Sequence, residues 1–140
     1  MLQIEKKTIK ALVVDDSILF RETLAKYLSH GLIEVIGTAA DPYEARDKIL
    51  ALHPDVVTLD VKMPKMNGIQ FLRKLIPQCP IPVVVVSALA INAFEALEAG
   101  AVDFIKKPTI RTPEDMSNFC SELRTKVVVA SSVKVTNRKA

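Results

Sequence analysis

The chain has 140 residues, of which 49% are hydrophobic, 25% are charged and 5% are aromatic. This length suits one domain with a full apolar core, and the composition is typical of a globular protein. No apolar run is long enough to span a membrane, and the N-terminal residues lack the apolar segment of a signal peptide. Cys79 and Cys120 are too few for a disulfide framework or a metal set, so we expect two reduced thiols in a cytoplasmic protein.

Charge is distributed unevenly along the chain. The net charge is +3, with residues 1–123 contributing −2 and residues 124–140 contributing +5. An acidic body attracts nucleic-acid phosphates poorly, so we expect no nucleic-acid partner. The basic tail is interpreted as a solvated linker. His30 and His53 are isolated near predicted helix ends and are interpreted as capping or surface residues.

Apolar strands alternate with helices along the chain, as the spacing of apolar residues indicates. In chain order, the predicted elements are strand 9–16, helix 17–30, strand 33–40, helix 41–52, strand 55–60, helix 68–77, strand 81–89, helix 92–100, strand 101–107 and helix 112–130. Ser17, Asp41 and Thr112 are predicted N-caps, because their side chains can accept from free helical N–H groups. Gly100 is predicted to cap the fourth helix, and Pro77 and Pro80 to stop the third.

Five strands, each followed by a helix, predict an α/β domain with a doubly wound parallel sheet. Near-continuous apolar strands, above all 81–89, indicate that helices cover both faces. The domain is predicted to span residues 8–130, after an N-terminal extension of residues 1–7. Residues 131–140 show no helical period and no sustained apolar content, and are interpreted as a disordered tail or the start of an interdomain linker.

Polar residues stand where four of the predicted strands end. Asp15 and Asp16 follow the first strand, Asp60 ends the third, Ser87 lies near the end of the fourth and Lys107 ends the fifth. Doubly wound sheets bind ligands beyond the carboxyl ends of their strands, so these groups should meet in one cleft. Three carboxylates repel one another unless a cation neutralises them, and oxygen ligands alone favour Mg²⁺ or Mn²⁺.

Such a cleft has the parts needed for phosphoryl transfer to a carboxylate. A carboxylate can act as a nucleophile and form an acyl phosphate, while a hydroxyl and an ammonium hold the added oxygens. Asp60 is therefore the candidate acceptor, with Asp15 and Asp16 as metal ligands. Taken singly, each piece also has a structural interpretation: the acid pair as a helix cap, Ser87 as a strand end, and Lys107 with its following proline as a turn.

Four stretches together resemble the receiver domains of two-component response regulators: VVDDS (13–17), LDVKMPKMNG (59–68), VVVVSA (83–88) and GAVDFIKKP (100–108). The resemblance covers roughly residues 8–130 and implies a flavodoxin-like fold. It implies that a histidine kinase phosphorylates Asp60. The residues that it assigns to Mg²⁺ are Asp15, Asp16, Asp60 and, through its backbone carbonyl, Lys62. It also implies phosphoryl contacts from Ser87 and Lys107, a switch role for Phe104 and a cis bond before Pro108.

Within that family, residues 37–68 and 79–89 resemble the receiver of the chemotaxis protein-glutamate methylesterase. In that protein the receiver covers and inhibits a C-terminal esterase domain, so the resemblance implies an output domain joined through the tail. No G-x-S-x-G motif is visible, so we expect no esterase activity from this chain itself. The chain departs from the methylesterase pattern in a shorter segment 87–100, in Lys62 where an acid is common, and in Ala88 where a second serine is common.

Three other functions fit parts of this pattern. A standalone receiver would act as a protein-docking module, and the downstream reading frame would distinguish it from a two-domain protein. A Mg²⁺-dependent phosphatase with Asp60 as its nucleophile would need a general acid two residues on, where Lys62 stands, and a cap domain. A DNA-binding regulator would need a helix-turn-helix segment, and none is seen after the receiver.

Overall fold

Strands and helices alternate throughout residues 8–90 and 92–135, which are the residues that the computed structural model describes. The strands are β1 Ile9–Val14, β2 Ile33–Ala39, β3 Val56–Asp60, β4 Val83–Ser87 and β5 Asp103–Lys106. The helices are α1 Ile18–Leu28, α2 Pro42–Leu52, α3 Gly68–Gln78, α4 Asn92–Glu98 and α5 Pro113–Ser131. The predicted order of elements is confirmed, while the predicted N-terminal extension and residues 136–140 of the predicted tail lie outside the described residues.

The five strands form one parallel sheet in the order β2-β1-β3-β4-β5. The strand β2 lies on one side of β1, and all later strands lie on the other side. The direction in which the chain adds strands to the sheet therefore reverses between β1 and β3. The pairing of β1 with β2 shifts register between Ala11 and Leu12. The carboxyl ends of β1 and β3 therefore lie side by side at the topological switch point, where doubly wound sheets bind ligands.

Helices cover both faces of the sheet, as predicted. Successive strand residues point to opposite faces, so Leu12 and Val57 belong to the apolar cluster under α2, α3 and α4. Val13 and Val84 belong to the cluster under α1 and α5. None of the helices in the described ranges is long and apolar enough to cross a membrane.

The three predicted N-caps are confirmed. Ser17 Oγ accepts from the N–H of Phe20 at 3.3 Å, and Asp41 Oδ1 accepts from that of Glu44 at 2.9 Å. Thr112 forms a capping box, in which its side chain accepts from the Asp115 N–H and its own backbone N–H donates to the Asp115 carboxylate. Local side-chain chemistry therefore determines where these helices begin.

Gly100 ends the fourth helix as predicted, with a positive φ of 116°. Its N–H donates to the Leu97 carbonyl at 3.1 Å, and the Ala101 N–H reaches the Ala96 carbonyl at 3.0 Å. These two bonds form a Schellman cap, which favours glycine at this position. A Cβ added here would lie 3.1 Å from the Ile76 side chain, so glycine also lets the turn after α4 pack closely on α3.

The end of α3 differs from the prediction. Pro77 lies inside the helix, which continues to Gln78. Proline cannot donate a backbone hydrogen bond, so one helical bond is lost there. The Cys79 N–H still donates to the Leu75 carbonyl at 2.7 Å and closes a further turn. The helix therefore ends one residue later than predicted, after Pro77 but before Pro80.

Residues 131–135 of the predicted tail differ from a disordered segment, while the alternative of an interdomain linker stays a prediction. Ser131 is the last residue of α5, and Val135 packs against the apolar cluster under α2, α3 and α4. Because α5 lies on the other face, the chain crosses to this cluster near the amino end of β5. There residues 133–135 line an open groove of about 620 Å³ together with Ile76 and Gly100. Val135 supplies the apolar contact that the polar composition of the tail did not indicate.

Candidate functional site

Three carboxylates meet at the carboxyl ends of β1 and β3. Asp15 follows β1 and Asp60 is the last residue of β3; their exposed fractions are only 2% and 6%. Asp16 is exposed. One carboxylate oxygen from each residue lies within 4.8 Å of the others. The structure thus brings together the three acids that the sequence places at two different strand ends.

Lys107 places its ammonium beside two of these acids. Its Nζ lies 3.1 Å from Asp15 Oδ2 and 4.0 Å from Asp60 Oδ2. The same atom stands 3.8 Å from the centre of the Phe20 ring, a cation–π contact from the first turns of α1. The Lys107 N–H donates to the Ser87 carbonyl at 2.8 Å, which ties the end of β5 to that of β4. The backbone and the ring thus direct the ammonium towards the carboxylates.

The electrostatics of Asp60 fit a cation site. The pKa of the Asp60 carboxyl is raised from 3.8 to about 6, mainly by burial, then by the negative charge of Asp15 and, to a smaller extent, by that of Asp16. Lys107 and the backbone N–H of Lys62 oppose this pKa shift without cancelling it. A divalent cation would relieve the repulsion, and a set of carboxylate and carbonyl oxygens is what Mg²⁺ or Mn²⁺ prefers.

Asp15 is held by contacts that are not apparent from the sequence. Its Oδ1 accepts from the Ser17 N–H at 2.9 Å, and its backbone carbonyl accepts from Arg21 Nη1 at 2.7 Å. Arg21 lies on α1, so the helix that follows β1 folds back to support the acid pair. Residue spacing does not indicate that the Arg21 side chain extends to the Asp15 carbonyl, so sequence reasoning missed Arg21.

The loop between β3 and α3 approaches Asp60 closely. The Lys62 N–H points to Asp60 Oδ1 at 3.4 Å, while the Lys62 side chain is exposed. Gly68 begins α3 against the end of β3, and a Cβ there would lie 2.3 Å from the Asp60 carbonyl oxygen. The Asn67-Gly68 pair marks a turn in the sequence, but the need for glycine against Asp60 is visible only in the structure.

Ser87 and Phe104 occupy different surroundings. Ser87 is buried at the end of β4, and its Oγ accepts from the Leu89 N–H at 3.2 Å and from Asn92 Nδ2 at 2.8 Å. Phe104 is half-buried on β5, where it packs against the cluster under α2, α3 and α4. Phe104 therefore lies on the opposite face of the sheet from the Phe20 ring, which contacts the Lys107 ammonium. Sequence reasoning did not single out Asn92.

The bond between Lys107 and Pro108 is trans, so the expectation of a cis bond is wrong: none of the peptide bonds in the described ranges is cis. A cis bond before proline is usually kept where a tight turn requires it. Residues 107–111 form an irregular segment without a tight turn, and Pro108 is exposed. The more stable trans isomer therefore fits this segment.

A buried acid, two neighbouring acids and a lysine at the switch point are typical of one class of signalling domain. Residues 11–118 match the response regulator receiver domain model, and the chain belongs to that family. Over 133 residues it is 52% identical to a protein-glutamate methylesterase/protein-glutamine glutaminase of Syntrophomonas wolfei, a match that covers 94% of this chain and 39% of that protein. The chain thus spans about two fifths of the length of this relative.

Solved structures agree with this assignment. The response regulator domain of Thermotoga maritima CheB superposes with a TM-score of 0.83 at 39% identity, covering 91% of this chain and 99% of that one. The CheX-CheY-BeF₃-Mg²⁺ complex of Borrelia burgdorferi contains a chain with a TM-score of 0.75 at 30% identity, covering 91% and 92%. The predicted flavodoxin-like receiver fold is confirmed, and so is the predicted resemblance to methylesterase receivers.

Proposed function

We propose that this receiver is a phosphorylation switch in which Asp60 accepts a phosphoryl group from a histidine kinase. The observation that carries the proposal is the buried Asp60 carboxylate, which faces Asp15, Asp16 and the Lys107 ammonium at the switch point. Repulsion among the three carboxylates disfavours this arrangement by itself, whereas a metal ion relieves the repulsion and allows a phosphoryl group to bind. The Mg²⁺ and BeF₃ of the Borrelia burgdorferi complex support the same chemistry for this chain.

Each residue of the site has a separate role in phosphoryl transfer. Mg²⁺, held by Asp15, Asp16, Asp60 and the Lys62 carbonyl, would supply positive charge that offsets the phosphoryl oxygens. An Asp60 oxygen forms the new bond to phosphorus as the bond from phosphorus to the donor imidazole breaks, and that electron pair stays on the imidazole nitrogen. Lys107 neutralises charge on the acyl phosphate, and the Ser87 hydroxyl donates to one of its oxygens.

The output of the switch would be a changed surface around α4, β5 and α5. Phe94 and Leu97 on α4 are 74% and 50% exposed, which leaves an apolar face available to a partner. Phosphorylation would draw Ser87 towards Asp60 and allow Phe104 to move inward, provided that the two states differ by only a few kcal/mol. The relatives support a methylesterase as the output domain and chemotaxis as its setting.

The test is intact-mass measurement after incubation with acetyl phosphate. With Mg²⁺ we expect the domain to gain one phosphoryl group, and with a chelator we expect no gain. Asp60→Asn keeps the size of the side chain, removes the nucleophilic oxygen and should fold without gaining mass. Equal gain in that variant would refute the acceptor assignment. Mg²⁺ binding without any phosphoryl gain would instead favour the docking-module function.

A further inference from the structure

We propose that Asn92, the first residue of α4, is a positioning residue that orients the Ser87 hydroxyl towards the phosphoryl group on Asp60. This inference rests on the proposed function and adds a residue to it. The contact that carries it is the 2.8 Å hydrogen bond from Asn92 Nδ2 to Ser87 Oγ. That contact joins the end of β4 to α4 inside the site.

The Ser87 hydroxyl is supplied with donors but not with an acceptor. A serine oxygen can accept two hydrogen bonds and donate one. Here the Asn92 amide and the Leu89 N–H, at 2.8 Å and 3.2 Å, occupy both accepting positions. Within residues 8–90 and 92–135 the hydroxyl donates to no protein group. Its proton is therefore left for a group that enters the site.

A phosphoryl group can accept the hydrogen bond that the Ser87 hydroxyl is left to donate. Its oxygens only accept, so a hydroxyl that has already accepted two N–H bonds presents the matching donor. Hydrogen bonds in a chain polarise one another, so the bond from Asn92 makes the Ser87 O–H a stronger donor. Ser87 is buried, and water competes little for that proton. Asn92 would thus favour the phosphorylated form through Ser87.

The amide is the chemical group that this role requires. Asn92→Ala removes the donor. Asn92→Asp replaces the donor by a carboxylate, which only accepts hydrogen bonds and would accept the one that the Ser87 hydroxyl donates. Ala90 is exposed in the turn before α4, so Ala90→Asp adds the same charge nearby without replacing this contact. These three variants separate the hydrogen bond from general effects of charge.

The measurement is the affinity of the Mg²⁺-loaded domain for beryllofluoride, an analogue of the phosphoryl group, by isothermal titration. We expect Asn92→Ala to weaken binding about three- to tenfold, the range for one hydrogen bond, and Asn92→Asp to weaken it more. Ala90→Asp should stay within about twofold of the parent. Mg²⁺ affinity without beryllofluoride should be unchanged by Asn92→Ala, because Asn92 contacts none of the proposed metal ligands.

The decisive comparison repeats Asn92→Ala in a Ser87→Ala background. If Asn92 acts through the hydroxyl, the second substitution should cause no further loss. An equal loss in both backgrounds would show a merely structural role and overturn the inference. So would unchanged or tighter binding by Asn92→Ala in the parent, since the amide would then not support the donor. A parent that binds Mg²⁺ but not beryllofluoride would overturn the proposed function and this inference together.

Discussion

At the carboxyl end of the sheet, Asp15, Asp60 and Ser87 are buried polar residues, whereas at the amino end Val56 and Val83 begin their strands with no exposed surface. Repelling carboxylates therefore lie at the carboxyl ends of β1 and β3, whereas β3 and β4 begin in close apolar packing. We expect the acid cluster to lower stability and the apolar packing to offset that loss. Substitutions at the amino end should change stability alone, and substitutions at the carboxyl end should change phosphoryl transfer as well.

The largest effect on stability is expected from Ile76→Ala at the amino end. Ile76 is 6% exposed and packs on Gly100, so truncation leaves a cavity and should lower the free energy of unfolding by about 2–5 kcal/mol. Urea denaturation measures this loss. At a temperature where the variant stays folded, phosphoryl incorporation from acetyl phosphate should equal that of the parent. A large fall in incorporation would contradict the separation of the two ends.

Gly68→Ala should combine both kinds of effect. The added Cβ would lie 2.3 Å from the Asp60 carbonyl oxygen, so the backbone of the acceptor strand or of α3 must shift. We expect a loss of about 3 kcal/mol, together with slower phosphoryl incorporation. Gly31→Ala is the matched control: its φ is +60° and nothing lies within 4 Å of an added Cβ, so only about 1 kcal/mol should be lost. Equal losses in the two variants would show that the approach to Asp60 is unimportant.

Asp60→Asn should stabilise the metal-free domain at neutral pH. The folded carboxyl has a pKa of about 6 against an ordinary 3.8, so between these values the folded state binds more protons than the unfolded state. Stability therefore falls as pH rises from about 4 to about 6, and the cost at pH 7 is about 3 kcal/mol. Denaturation in a chelator at pH 4 and pH 7 should show this fall in the parent and a smaller one in Asp60→Asn. Parallel curves for the two proteins would contradict it.

The smallest effect is expected from Thr58→Val. Thr58 lies in the middle of β3, 1% exposed, and its Oγ1 has no hydrogen-bond partner within the described ranges. Valine has nearly the same shape and buries no polar atom, so the free energy of unfolding should rise by up to about 1 kcal/mol. Phosphoryl incorporation should not change. Destabilisation by more than about 1 kcal/mol would mean that the hydroxyl has a partner in solution, such as a buried water.

The parts of the fold that depend on local chemistry could be predicted from the sequence. Asp41 and Thr112 begin their helices because the side-chain oxygen and the backbone N–H that donates to it lie within a few residues of each other. The meeting of Asp15, Asp60 and Lys107 also followed, because parallel strands present their carboxyl ends along one edge. Regular periodicity identifies the strands, and the fixed geometry of a parallel sheet then predicts which residues far apart in the sequence lie close together.

Other features depend on distances that residue order does not encode. The bond from Arg21 to the Asp15 carbonyl and that from Asn92 to Ser87 require particular side-chain rotamers across a completed fold. The contact of Val135 with the far face of the sheet depends on a groove that exists only after α3 and α4 have packed. The isomer of the bond before Pro108 depends on a small difference in free energy between cis and trans. The family resemblance predicted cis, whereas the bond is trans.

The central claim is that Asp60 is the acceptor, and site-resolved mass spectrometry tests it most directly. The domain would be phosphorylated with acetyl phosphate and Mg²⁺, trapped by reduction of the acyl phosphate, digested and sequenced by tandem mass spectrometry. We predict that the modification lies on Asp60 and that neighbouring Asp15 and Asp16 remain unmodified. Modification of Asp15 or Asp16 with Asp60 untouched would contradict the assignment of roles at the carboxyl end of the sheet.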